Sequence, residues 1–131
     1  MRQDSIERSR TVPFTQLDHI QLAMPAGAED LARKFYAGLL GMEEVAKPAQ
    51  LASRGGVWFI SGSVSIHLGV DADFIPARKA HPALRCSEYS SLITHLRDHA
   101  IGVSNDSSSF EGKDHCYIAD PFGNRIELID G

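Results

Sequence analysis

The chain has 131 residues, with 13 Lys and Arg against 17 Asp and Glu, for a formal net charge of −4. At 43% hydrophobic and 23% charged, it is of one-domain length and too apolar for a disordered chain. No apolar run approaches the ~18–20 residues a membrane span needs, the acidic balance leaves no basic stripe for nucleic acid, and two cysteines, Cys86 and Cys116, are too few for a disulfide scaffold. The polar start over residues 1–10 lacks the apolar stretch of a secretory signal. A cytoplasmic protein with free thiols is expected, with neither membrane nor nucleic acid as partner.

Residues 1–14 read as a flexible tail ahead of a single domain over 15–131. Gln16–Met24 alternates, with Ile20, Leu22 and Met24 on one parity and His19 on the other, which predicts a strand. Pro25-Ala26-Gly27 breaks it. Residues 28–40 carry Leu31, Phe35 and Leu39 at four-residue spacing, with Gly41 just beyond, the pattern of an amphipathic helix with a glycine stop. Met42–Ala46 is a short strand, followed by a loop around Pro48. Val57–Ser61 and Val64–Val70 are strands joined by Gly62-Ser63, a Gly-first link suited to a type II′ hairpin. Residues 71–80 form a linker with the solvated pair Arg78-Lys79.

The pattern then restarts. Ala80–Cys86 is a strand, with Pro82 suiting an edge or seam position. Glu88–Ala100 is a helix with the stripe Tyr89, Leu92, Ile93, Leu96 and Ala100, stopped near Gly102. A short strand over Gly102–Asn105 and a Ser-rich loop over 106–113 follow. His115–Ala119 and Arg125–Ile129 form a hairpin around Asp120-Pro121-Phe122-Gly123-Asn124, a run of turn formers. The order β-α-β-β-β therefore occurs twice, over about 16–70 and about 80–130. His81 follows His19 by 62 residues, Leu92 and Gly102 follow Leu31 and Gly41 by 61, and Glu127 follows His67 by 60. A nearly constant offset is the mark of an internal duplication.

Strand parity singles out four residues. His67 opposes Val64, Ile66, Leu68 and Val70; Glu127 opposes Ile126 and Leu128; His19 and His81 oppose the apolar residues of their own strands. With helices covering the apolar faces, all four lie on the uncovered face of their sheet, and two equally curved sheets make one groove of those faces. Three imidazoles and a carboxylate converging there suit a divalent transition metal. Hairpin register sets Trp58 opposite His67 and Tyr117 opposite Glu127, an aromatic wall for a small substrate. Arg85 and Arg125 share the ligand parity and could meet an anionic group, and His115, on the parity of Tyr117, rims the groove. Cys86 and Cys116 have core parity and read as buried hydrophobes. His95 and His99 have helical metal-pair spacing but no HExxH context, so they read as a solvated helix side. There is no phosphate-cradling loop and no GxSxG elbow.

Leu17-Asp18-His19-Ile20, Phe35-Tyr36 through Leu40-Gly41-Met42, Ala80-His81-Pro82-Ala83-Leu84 and Asp120-Pro121-Phe122-Gly123-Asn124-Arg125-Ile126-Glu127-Leu128 together resemble the vicinal oxygen chelate superfamily, the glyoxalase, bleomycin-resistance and extradiol-dioxygenase group, over residues 16 to 130. The resemblance implies an α+β fold of two tandem βαβββ modules in an open, curved mixed sheet. It also implies one divalent metal ion (Zn, Ni, Mn, Fe or Co) held by His19, His67, His81 and Glu127, with Glu127 and His67 as proton carriers. Trp58, Tyr117, Arg85 and His115 would line the substrate pocket. The implied activity is glyoxalase-like chemistry of the isomerase or lyase type, with thiol transfer and dioxygenation as variants, on a small oxygen-chelating substrate such as a thiol adduct. The alternative is a non-catalytic protein that sequesters a small molecule or antibiotic. A homodimer is implied, its site either within one chain or shared between two. Glyoxalase I enzymes have a glutamate where His67 stands, a departure from that particular activity.

Overall fold

A computed structural model of the protein describes residues 12–105 and 112–131; residues 1–11 of the expected tail and 106–111 of the expected Ser-rich loop lie outside the described residues. The first module runs β1 (Ile20–Met24), α1 (Glu29–Ala32) continued by a π-helical segment (Arg33–Leu39), β2 (Glu43–Val45), a 3₁₀ turn (Ala49–Arg54), β3 (Val57–Ser61) and β4 (Val64–Val70). The second runs β5 (Ala83–Cys86), α2 (Tyr89–Asp98), β6 (Ser104–Asn105), β7 (His115–Ala119) and β8 (Arg125–Asp130). Each module folds into a four-stranded sheet, ordered β1-β4-β3-β2 and β5-β8-β7-β6. In each, the first strand pairs parallel with the last and the other pairings are antiparallel. The two curved mixed sheets and their helices make the open tandem βαβββ fold that the resemblance implies.

The β3–β4 hairpin forms at the predicted residues. Ser61 pairs with Val64, and Gly62 takes φ 57°, the positive value that a II′ turn requires at its first central residue. Other boundaries shift for physical reasons. β1 begins at Ile20 rather than Gln16, because Ile20 already pairs with Ile66, near the start of β4, and residues before it run past the end of the hairpin. β5 begins at Ala83, so Pro82 stands just ahead of the strand, where its carbonyl accepts from the Glu127 N–H at 2.9 Å. The stretch after Pro48 is a 3₁₀ turn rather than irregular loop.

The first helix buries Phe35 of the predicted stripe and packs half-buried Leu39 against the core, but leaves Leu31 outside. Leu31 is 51% exposed, and the inward residues are Ala32, Phe35 and Tyr36. The helix widens into π geometry: the Leu40 N–H bonds the Phe35 carbonyl, five residues back, at 2.9 Å. Tyr36 stacks on Phe59 of β3, ring centroids 5.3 Å apart. In α2, Tyr89, Ile93 and Leu96 are buried as expected. Its stop is Ala100 rather than Gly102. Ala100 has φ 62°, its N–H bonds Arg97 O, and the Ile101 N–H reaches Leu96 O at 3.0 Å, which is a Schellman motif closed without glycine.

The buried apolar residues of both modules form one core. Polar contacts also join the modules. The Tyr36 hydroxyl donates to Asp120 Oδ2 at 2.7 Å and Asn124 Nδ2 donates to the Ala23 carbonyl at 2.8 Å. The other Asp120 oxygen accepts the Phe122 and Asn124 N–H groups. The Asp-Pro-Phe-Gly-Asn turn thus folds around its own aspartate and holds the opposite module. Burial and the adjacent Asp120 push the Tyr36 hydroxyl pKa well up, so it stays a donor. Among the described residues no helix is long and apolar enough to cross a membrane.

Candidate metal centre

The groove face of the first module carries His67 in the middle of β4, with Trp58 as its cross-strand partner on β3. The indole and imidazole stack with centroids 3.7 Å apart and planes within 2°. His19, one residue ahead of β1, stacks on the other side of His67 at 4.0 Å. His67 is thus sandwiched between two rings and is only 8% exposed. Burial, reinforced by the nearby His19, pushes its pKa down, favouring the neutral imidazole that a metal needs. Its Nε2 lies 3.4 Å from the Ser65 hydroxyl. The His19 Nδ1–H donates to Asp18 Oδ1 at 2.8 Å, which leaves Nε2 as the free donor atom.

The second module repeats the plan with different chemistry. Glu127 sits in the middle of β8 opposite Tyr117 on β7, and Ala83 of β5 flanks it as Gln21 of β1 flanks His67. His81, just ahead of β5, donates from Nδ1 to the Lys79 carbonyl at 2.7 Å, and its Nε2 lies 3.0 Å from Glu127 Oε1. The other carboxylate oxygen accepts from His115 Nδ1 at 2.8 Å. Glu127 is buried, so both of its oxygens are committed to histidine. Tyr117 packs edge-on against His81 and His115. Arg125 lies over the Tyr117 ring at 4.0 Å, whereas Arg85 is exposed on β5. Cys86 and Cys116 are half-buried and buried, and burial pushes both thiols up, away from nucleophilic use. His95 is no metal partner either: its Nε2 donates to the Leu39 carbonyl across the module boundary at 3.0 Å.

One pair of donors, His81 and Glu127, has a separation that a divalent ion could accept. Two ligands about 2.1 Å from one ion, subtending about 90°, stand about 3.0 Å apart, and His81 Nε2 and Glu127 Oε1 have this separation. The second nitrogen of His81 is fixed by a carbonyl and the second oxygen of Glu127 by an imidazole, the outer bonds that orient metal ligands. Yet among the described residues no group of three or more His, Cys, Asp or Glu is arranged to hold an ion. His81 and His115 engage different oxygens of Glu127, and the stacked rings of His19 and His67 belong to the other module. The four residues therefore stand as two pairs, His19 with His67 and His81 with Glu127. A recess of about 630 Å³ lies where the modules meet, lined by Leu17, His19, Ile20, Ser65, Pro82 and Ala83.

Parity and duplication placed His19, His67, His81 and Glu127 on one face with Trp58 and Tyr117 beside them, but the expected meeting of all four around one ion is not seen among the described residues. Sequence reasoning missed the His115–Glu127 bond, although both residues share one strand face. It also missed Asp18 as the partner of His19; an acid beside a candidate ligand histidine was the available signal.

No family model matches the sequence, and no curated protein matches it. Solved structures do. A glyoxalase family protein from Bacillus anthracis is 39% identical, with 93% of this chain and 99% of that chain covered and a TM-score of 0.89. A glyoxalase/dioxygenase from Nostoc punctiforme is 22% identical, over 88% and 90% of the two chains, with a TM-score of 0.71. A genomically encoded fosfomycin resistance protein from Listeria monocytogenes shares the fold at 13% identity and a TM-score of 0.71, with 90% and 94% covered.

Proposed function

The chain belongs to the glyoxalase family of the vicinal oxygen chelate superfamily, and from that premise we propose that it is a divalent-metal-dependent enzyme acting on a small oxygen-chelating substrate. Its ion would be held by His19 and His67 of one chain and by His81 and Glu127 of a second copy. The observation that carries this reading is the His81–Glu127 pair, at the spacing of two ligands on one ion and anchored on both outer sides. Two donors per module, in separate pairs, favour the shared homodimeric site over an intrachain one. The donor set admits Zn, Ni, Mn, Fe or Co.

When bound, the ion supplies Lewis-acid stabilisation of negative charge on a substrate oxygen. The protein supplies the rest. Trp58 and Tyr117 wall the groove and orient an organic substrate. Glu127 Oε1 or His67 Nε2 takes a proton from a substrate carbon and returns it to the neighbouring atom, so an isomerisation leaves no net charge behind. His115 holds Glu127 Oε2 throughout and limits the carboxylate to one mobile oxygen. The substrate is a small molecule, thiol adducts included, and the protein acts in the cytoplasm.

A second reading has its own support. The Trp58–His67–His19 stack is a ready aromatic surface, as a protein that only sequesters a small molecule would need. Elemental analysis of purified protein separates the two. The enzyme reading expects about one ion per chain, lost in His19→Ala, His81→Ala and Glu127→Ala. Protein that takes up no ion and still binds small aromatic ligands would establish the sequestering one.

A further inference from the structure

We propose that Arg125 is an anion-binding position, selecting chelating substrates that carry an additional carboxylate. The inference rests on the metal-dependent reading above and narrows its substrate class. Arg125 begins β8 two residues before Glu127, on the same sheet face. Their Cα atoms are therefore about 6.8 Å apart. The guanidinium does not extend into solvent but lies over Tyr117, 4.0 Å from the ring centroid. Tyr117 is the residue directly across from Glu127. The cation is thus folded back toward the carboxylate expected to hold the ion.

Among the described residues no carboxylate bonds this guanidinium, in a chain where acids outnumber bases 17 to 13. The cation–π contact holds the guanidinium over the ring and uses none of its N–H donors on a carboxylate, leaving them for the oxygens of a ligand. A fork of this kind matches a carboxylate in two parallel bonds. A recess of about 500 Å³ opens beside it, lined by Gly102, Ser104, Tyr117, Ala119 and Arg125. A ligand with chelating oxygens at the Glu127 end and a carboxylate a few bonds further on would occupy both positions.

The test is calorimetric titration of the zinc-loaded full chain with lactate and with malate. Both chelate through a 2-hydroxy acid, and malate adds one carboxylate. The expected result is malate bound at least about 10-fold more tightly than lactate, with Arg125→Gln weakening malate about 10- to 100-fold. Lactate affinity and zinc content stay as in the wild type, which shows the variant folded. Arg125→Lys, keeping charge but losing the fork, recovers only part of the preference. Equal binding of the two acids by the wild type, or equal losses for both in Arg125→Gln, overturns the proposal. A protein that takes up no zinc fails earlier, at the metal-centred reading itself.

Discussion

At the scale of single residues, the commitments of Glu127 decide what it can do. Its Oε2 is held by His115 inside the protein and its Oε1 faces His81. Removing the His115 donor frees the carboxylate to rotate away from the ligating geometry. His115→Ala is therefore expected to weaken zinc binding about 10- to 100-fold, the usual cost of losing an outer-shell partner. His115→Gln, which keeps an N–H donor, should recover much of the loss; competition against a chromophoric chelator measures both. Far from the site, Glu29 makes a different commitment. The Gly56 N–H donates to Glu29 Oε2 at 2.9 Å, and this bond holds the carboxyl below the ordinary glutamate value of 4.5. Gly56 can present its N–H there because it has φ 86°, and a Cβ would stand 2.1 Å from the Leu68 carbonyl oxygen. A carboxylate with a lowered folded-state pKa contributes stability in full above its unfolded value and loses it as pH falls through the folded value. Denaturant melts should show Glu29→Gln less stable than wild type by about 0.5–1 kcal/mol at pH 7, a screened charge-assisted bond. The difference should shrink steadily as pH drops from about 5 toward 3.

At the scale of elements, the strands were legible, and so was the end of the first helix, where Gly41 takes φ 76° just beyond it. Period two plus Gly62-Ser63 located the β3–β4 hairpin to the residue, because one face of each strand is core and a register slip would expose all of it. The same alternation put His67 opposite Trp58 and Glu127 opposite Tyr117, as the register shows. The π geometry of the first helix escaped, although its extent did not, because nothing local distinguishes a π turn from an α turn; its widening is favoured by burying Phe35 and Tyr36 together against distant strands. The bond from Tyr36 to Asp120 spans 84 residues and left no local pattern. The end of α2 escaped for another reason. Glycine at 102 suggested the stop, yet the left-handed position is Ala100. A Cβ there costs about 1 kcal/mol relative to glycine, partly offset by the greater freedom of an unfolded glycine. Ala100→Gly should accordingly stabilise the protein by about 0.5–1 kcal/mol. Thermal unfolding with the midpoint raised by a few degrees is the expected reading; an unchanged or lower midpoint would mean the Schellman geometry is not strained.

At the scale of the whole molecule, the polar contacts that join the modules lie outside the two donor pairs. Tyr36–Asp120, Asn124–Ala23 and His95–Leu39 run between helices, turns and the end of β1. β1 and β5, the strands that follow His19 and His81, are edge strands of their sheets. The starts of the two strands face one recess within the chain, lined by His19 and Ile20 on one side and Pro82 and Ala83 on the other, while the donors stand as two pairs, His19 with His67 and His81 with Glu127. In the proposed shared centre the first module of one chain would meet the second module of its partner, and two-fold symmetry would make two equal sites. Mixed dimers decide the matter. One variant carries His19→Ala with His67→Ala, and the other carries His81→Ala with Glu127→Ala. Alone, each has only broken sites. Exchanged together at equal amounts, half of the dimers are mixed, and each mixed dimer contains one site with all four donors and one with none. Bound zinc should then return to about a quarter of the wild-type amount per chain. Intrachain sites would stay broken in every mixture, so zinc content that remains at the level of the separate variants after exchange would rule out the shared centre.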